Sequence, residues 1–231
     1  MVVFPIIALV ISLACTFVVG WDAVRKPKPD RVVWTIAFGI FAVATGAEVV
    51  GSLSEWTPLL ARTFYLCGAV LVVGYLALGE LYLLARPKIE RFAPGAALLV
   101  TALAVTLVVS APIDQTMLAT EAWEAIERGP ALVLLTVLLN VGGTIVLVGG
   151  ALYSASRFRK LGIQRHRMIG CVLVALGTLA VASGGTLTRF GEREYLYIAM
   201  SIGIVLIFAG VLETRRPDRV AASESGETAG S

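Results

Sequence analysis

Seven times along this chain an apolar run recurs that is long enough to cross a bilayer, and no other feature limits the fold so strongly. A hydrocarbon core about 30 Å thick needs roughly 20 apolar residues in a helix. The runs are Val2–Gly20, Val32–Leu53, Leu59–Leu84, Pro94–Ala111, Pro130–Tyr153, Met168–Leu187 and Tyr195–Leu212. They are too long and continuous for buried strands, and they lack the every-second-residue alternation of a membrane β-barrel. The 231 residues are 58% hydrophobic and only 15% charged, where a soluble domain carries about 25% charged residues. That leaves too little polar surface to cover a water-soluble globule. The expected fold is all-α: a seven-transmembrane-helix bundle forming one domain over residues 1–216. The tail, 217–231, is rich in Ala, Ser, Gly and Glu, cannot bury a core and is expected to be disordered.

The segments between the runs set a direction. Arg25, Lys26, Lys28 and Arg31 follow the first run; Arg86, Lys88 and Arg91 follow the third. Arg157, Arg159, Lys160, Arg165 and Arg167 follow the fifth, and Arg215, Arg216 and Arg219 the seventh. Fifteen of the nineteen basic residues thus share one side, leaving Arg62, Arg128, Arg189 and Arg193 on the other. Short basic loops stay in the cytoplasm, so the N-terminus is expected outside and the C-terminus inside, in a multi-pass protein of the cell membrane. The expected partners are the lipid bilayer, a small-molecule ligand and a partner membrane protein. The formal charge of +3 reflects topology and anionic lipid, and nucleic acid is not expected. Val2–Val19 lacks a basic leader and a small-residue cleavage site, so it is expected to remain as the first helix.

Several chemistries are excluded by residue type. The single histidine, His166, cannot build a paired-histidine haem or a multi-imidazole zinc site. Cys15, Cys67 and Cys171 each lie inside an apolar run and read as small packing residues. No nucleophile–base pair stands out, so no catalytic residue, metal or cofactor is expected, and the chain is not expected to be an enzyme.

Polar residues inside the runs mark the candidate ligand- or ion-binding site. Glu48 lies five residues from Leu53, inside the second run. A carboxylate there is costly unless paired, hydrated or protonated. Arg62, across a short turn, is its expected partner, with Arg189 as the alternative. In the third run Tyr65, Gly68, Val72, Tyr75, Gly79 and Tyr82 follow three-four spacing and share a face. Their phenols need partners, and the fifth run offers a face with Thr136, Asn140 and Ser154. Asn140 sits about 15 Å into its helix, near the midplane. The candidate set is therefore Glu48, Arg62, Tyr65, Tyr75 and Asn140. Ion pairing and interhelical hydrogen bonding would account for the same residues without a ligand. Glu80, near the inner end of the third run, reads as an acid neutralised at the interface by Arg86 and the arginines that follow the fifth run.

Glycines seven apart, at Gly39 and Gly46, Gly143 and Gly150, Gly170, Gly177 and Gly184, and Gly203 and Gly210, keep small residues along one stripe. Such stripes let helices approach closely in lipid. Ala175, on another face, is expected to tolerate a larger side chain. Between the fourth and fifth runs, Leu118, Ala122 and Ile126 at spacing four suggest a short amphipathic helix on the outer surface.

The stretch Trp34 to Pro87, with Glu48, Trp56, Arg62, Tyr65, Gly68, Leu78-Gly79 and Leu81 to Leu84, resembles uncharacterised bacterial multi-pass membrane proteins. That resemblance implies a membrane bundle and no chemistry. The topology also resembles rhodopsin-type proteins, but the seventh run has no lysine for a retinal Schiff base and no Asn-Pro-x-x-Tyr. The third and seventh runs align at an offset of 130, Tyr65-Leu66 with Tyr195-Leu196 and Arg86-Pro87 with Arg216-Pro217. This suggests a three-plus-one-plus-three repeat, as in small sugar transporters of the SWEET kind. The function these features suggest is a small-molecule or ion site in the outer half, for transport or sensing. The alternative is a structural or partner-binding subunit with no ligand.

Overall fold

The structure, a computed structural model, describes residues 3–161, 165–187 and 193–213. Side chains within them are described except at 86–87, 157–161, 165–167, 171, 181–187, 193–198 and 200. The tail 217–231 and Arg189 lie outside the described residues.

Helix α1 is Val3–Arg25 and α2 is Pro29–Leu53. Helix α3 runs from Pro58–Phe64 through a π-helical segment, Tyr65–Leu71, into Val72–Ile89. Helix α4 is Ala93–Ser110. Helix α5 runs from Pro130–Val137 through a second π-helical segment, Leu138–Gly142, into Gly143–Leu161. Helix α6 is Arg165–Leu187 and α7 is Arg193–Glu213. Pro29, Pro58 and Pro130 each open their helix. There a missing N–H costs nothing and the fixed φ already suits the helix. Thr57 adds a cap by accepting the Leu60 N–H at 3.3 Å. Near its far end α3 kinks at Ala85 (φ −131°, ψ 24°), where the Pro87 ring would meet the carbonyl four residues back.

Among the described residues five helical spans are long and apolar enough to cross a membrane: Val3–Arg25, Pro29–Leu53, Pro58–Ala85, Ala93–Ser110 and Pro130–Ser156. The described apolar stretches of α6 and α7 are Met168–Ala180 and Ser201–Glu213. Among the described residues there is no strand, only an isolated antiparallel bridge between Ile113 and Ile126.

Packing runs in chain order around a ring. α1 meets α2, α2 meets α3, α3 meets α5, α5 meets α6, α6 meets α7, and α7 returns to α1. α4 stands outside the ring, against α3 and α5. Two three-helix arcs, α1–α2–α3 and α5–α6–α7, therefore join at α3–α5 and at α7–α1. The centre is filled with side chains. Cys15, Val19, Phe38, Ile207 and Val211 pack together with Leu76 and Trp34, and Ala8, Phe41, Val72 and Ile204 form the adjoining layer. Large apolar side chains point outward, among them Phe17, Leu98 and Leu99, each at least 70% exposed. An aqueous surface of this kind would be costly, and lipid removes the cost.

Glycines set the closest approaches. A Cβ on Gly143 would lie 3.0 Å from the Val73 carbonyl oxygen. One on Gly177 would lie 2.6 Å from the Gly203 carbonyl oxygen, and one on Gly210 would lie 2.7 Å from that of Gly170. Gly39 and Gly46 are looser, with the nearest atoms at 3.9 Å. Ala175 is buried, so the tolerance expected of it from sequence spacing does not hold: α6 is enclosed on more than its glycine face.

The α4–α5 connection departs from the expected amphipathic helix. It makes one α-turn, Leu118–Glu121, and one 3-10 turn, Ala122–Ala125, separated by Ala122 at φ 55°, ψ −126°. Asp114 N–H donates to the Ala125 carbonyl and Glu127 N–H to that of Pro112, closing the loop on itself. Closure leaves too few residues for a longer helix. Leu118, Ala125 and Ile126 are buried against Ala61, Tyr65, Ala104, Val108 and Leu132, so the loop plugs the α3–α4–α5 end of the bundle. The α2–α3 turn joins it there through Trp56, Phe64 and Trp123.

Candidate functional site

Glu48 stands one turn along α2 from a polar contact between α1 and α2. Ser12, Thr45 and Glu48 are 0%, 3% and 4% exposed. Ser12 and Thr45 meet hydroxyl to hydroxyl at 3.5 Å. Each also donates within its own helix, Ser12 to the Leu9 carbonyl and Thr45 to those of Phe41 and Ala42. Such back-bonding is how Ser and Thr satisfy a hydroxyl inside an apolar helix. Glu48 follows Thr45 by three residues and so stands on the same side of α2.

This corrects the expected Glu48–Arg62 pair. Ala44 and Ala47 form the side of α2 that packs on Phe64 of α3, while Thr45 meets Ser12 of α1. Arg62 turns the other way, and its Nη2 donates to the Ala111 carbonyl at 3.0 Å. Ala111 is the C-cap of α4, where carbonyls lack intrahelical partners and a guanidinium is well placed. Among the described residues Arg62 makes no ion pair, and its buried Nε has no hydrogen bond. The adjacency of Glu48 and Arg62 across a turn fixes their depth but not the faces they occupy.

Tyr65 and Asn140 are brought together. Tyr65 hydroxyl meets Thr136 Oγ1 at 3.5 Å, one turn from Asn140. Asn140 Nδ2 donates to the Ala69 carbonyl at 2.7 Å and to the Thr136 carbonyl at 2.8 Å. Ala69 lies in the π segment of α3 and Asn140 in that of α5, and the two segments touch. A π turn widens the helix by one residue and redirects side chains and carbonyls. The α3–α5 contact is thus two widened turns pinned by one amide. Nothing in the apolar spacing announces either π segment, although Tyr65 and Asn140, both candidates from sequence, lie in them.

Tyr75 goes elsewhere. Its hydroxyl meets Thr101 of α4 at 2.8 Å, and Thr101 in turn donates to the Ala97 carbonyl. The tyrosine stripe is therefore shared between two neighbours, Tyr65 facing α5 and Tyr75 facing α4. The five candidate residues do not converge: Glu48 stands on α2, Tyr65 and Asn140 meet between α3 and α5, and Arg62 and Tyr75 turn from α3 to α4 at points ten residues apart, Ala111 and Thr101.

At the plugged end, Asp114 accepts from the Thr116 N–H at 2.8 Å and from its hydroxyl at 2.6 Å. These bonds hold the carboxyl below the ordinary aspartate value of 3.8. Among the described residues no group of three or more His, Cys, Asp or Glu stands close enough to hold a metal ion. Comparison with protein-family models, curated proteins and solved structures finds no match to this chain.

Proposed function

We propose that the chain is a multi-pass integral membrane protein of the cell membrane that binds an ion or small molecule around Glu48, for transport or sensing. The observation that carries this reading is a carboxyl group 4% exposed inside an apolar helix, one turn along α2 from the buried Thr45. Acids at such positions are expensive and characteristically serve ion or proton handling or ligand capture. The bundle in this reading has seven spans, with α6 and α7 as the sixth and seventh, the N-terminus outside and the C-terminus in the cytoplasm. Supporting the orientation, the acidic α4–α5 loop and the α2–α3 turn pack together at one end, opposite the basic segments. The two three-helix arcs support a repeated unit with α4 as the linker. The protein acts without catalysis of its own.

Thermal melting of the detergent-purified protein against cations, metabolites and pH tests the ligand reading. Wild type is expected to shift with at least one solute to which Glu48→Gln no longer responds. Identical responses of the two proteins would refute it. Orientation is tested separately with an impermeant thiol reagent in intact cells. Cysteines at Glu55 and Glu124 are expected to label, and those at Lys28 and Lys88 to resist. A second reading, a structural or partner-binding subunit, is favoured by the hydroxyls of Ser12 and Thr45, which already donate to carbonyls of their own helices. It expects no solute response from either protein.

A further inference from the structure

Glu80 is a second acid inside a span, and it lies in the other half of the bundle. Glu48 is five residues from the end of α2 at Leu53, and Glu80 is five residues before the kink of α3 at Ala85. Each is therefore about 7–8 Å in from an end, and the two ends are opposite. Glu80 is 4% exposed. Its wall is α5 backbone: a Cβ on Gly150 would lie 2.6 Å from Glu80 Cγ and 2.7 Å from Oε1. Ser154, buried one turn along α5, comes next on that face. From α2, Trp34 lies against the adjoining Gly79, and its buried Nε1 has no hydrogen bond. From α7 the nearest core residues are Ile207, Phe208 and Val211, grouped with Leu76 one turn before Glu80.

No titratable or charged group faces Glu80 from these elements among the described residues, and no hydrogen bond or ion pair engages it among them. The side chains of Arg86 and Arg157, toward the basic end, lie outside the described residues. A buried carboxylate in apolar surroundings requires a positive partner or loses its charge. The room left by Gly150 and Gly79 is narrow, because larger residues there would overlap Glu80 and Trp34. A bulky organic cation does not fit such a space.

We propose that Glu80 binds a small inorganic cation, a proton or an alkali-metal ion, that enters from the basic end of the bundle. Binding is reversible association of the cation with the carboxyl oxygens, with no bond broken and no further reactant. Ser154, one turn further along α5 from Gly150, is a buried hydroxyl available to an alkali ion. The site is independent of the function proposed for Glu48, since it lies on another helix and at the opposite end.

The test is thermal melting in detergent of wild type, Glu80→Gln, Glu80→Asp and Glu48→Gln. Each is measured from pH 5 to pH 8 in choline, and then with sodium, potassium or lithium replacing choline at constant ionic strength. Gln is neutral and nearly isosteric, so it is expected to fold and to lose the cation or pH response. Glu80→Asp is expected to keep it, and Glu48→Gln to keep the part of it that Glu80→Gln loses. A pH response alone identifies the proton, confirmed by a protonated-carboxyl infrared band present in wild type and missing from Glu80→Gln. A response to one alkali ion identifies that ion. Where stability follows a single proton site, the folding equilibrium constant changes at most about tenfold per pH unit. Equal responses in wild type and Glu80→Gln would overturn the proposal. So would a Glu80→Gln protein that fails to fold or melts lower by the same amount in every condition, because that is the behaviour of a fixed internal partner.

Discussion

Replacing Gly177 by alanine tests how the second arc is held together. The added Cβ would lie 2.6 Å from the Gly203 carbonyl oxygen and 2.8 Å from both the Ile207 nitrogen and Cγ1. Carbon contacts are most favourable near 3.5–4.0 Å, and two of these three atoms are backbone that no rotamer change can move. α6 and α7 must part by roughly 1 Å at this level. Gly210 makes the reciprocal approach, 2.7 Å from the Gly170 carbonyl and 3.0 Å from the Val174 nitrogen, so the strain spreads along two turns. Overpacking of this kind costs about 1–3 kcal/mol. The better helix propensity of alanine returns up to about 1 kcal/mol. Net of that gain a loss of up to about 2 kcal/mol remains, which lowers the melting temperature by up to about 8 °C for a chain of this size. Gly149 supplies the control, because nothing lies within 4 Å of its Cβ position. Gly149→Ala keeps only the propensity gain and is expected to melt slightly higher than wild type. The assay is thermal unfolding in one detergent, followed by tryptophan fluorescence. Shifts in the same direction for both variants would refute the close approach of α6 to α7.

Asn140→Leu removes the amide between the two π segments. An interhelical hydrogen bond in a membrane is worth roughly 0.6–2 kcal/mol, so it is expected to melt lower than wild type. Thr106→Val, at an exposed hydroxyl bonded to its own Ala102 carbonyl, is not, and equal melting of the two variants would show that Asn140 pins nothing. Ala122→Gly is expected to stabilise the plug, because a Cβ residue at φ 55° costs about 1–2 kcal/mol that glycine avoids. Limited proteolysis of the α4–α5 loop should slow, and faster cleavage would mean that the Ala122 methyl group packs more than it strains. Asp114 is held below its ordinary value by Thr116, so its contribution is complete above pH 3.8 and is lost as pH falls through the lower folded value. Thr116→Val raises that folded value toward 3.8, and the acid transition of Trp123 fluorescence should move to higher pH. An unmoved transition would detach Asp114 from the loop.

What could be read from the chain, and what could not, divides along physical lines. Hydrophobic transfer adds residue by residue, so the runs that become α1 to α5 are visible in the order of amino acids alone, and Pro29, Pro58 and Pro130 mark where three of them begin. α6 and α7 carry described apolar stretches, Met168–Ala180 and Ser201–Glu213, that overlap the sixth and seventh runs, and like other runs they repeat glycine at every seventh position. Those glycines were informative where two backbones meet, at Gly143, Gly177 and Gly210, and uninformative at Gly39 and Gly46, where only distant side chains approach. The candidate site suffers from a different loss. Burial cost picks out Glu48 without any structure, but its neighbour depends on helix phase, and a helix carries four faces for every depth. Arg62 shares the depth of Glu48 and still turns to Ala111. Tyr75 shares its stripe with Tyr65 and still turns to Thr101. Each π segment shifts the phase of everything beyond it by one residue without altering composition, so the faces of α3 and α5 cannot be extrapolated from their first turns. Glu80 illustrates the result: beyond the α3 π segment it faces Gly150 of α5, a helix whose own phase the second π segment has also shifted.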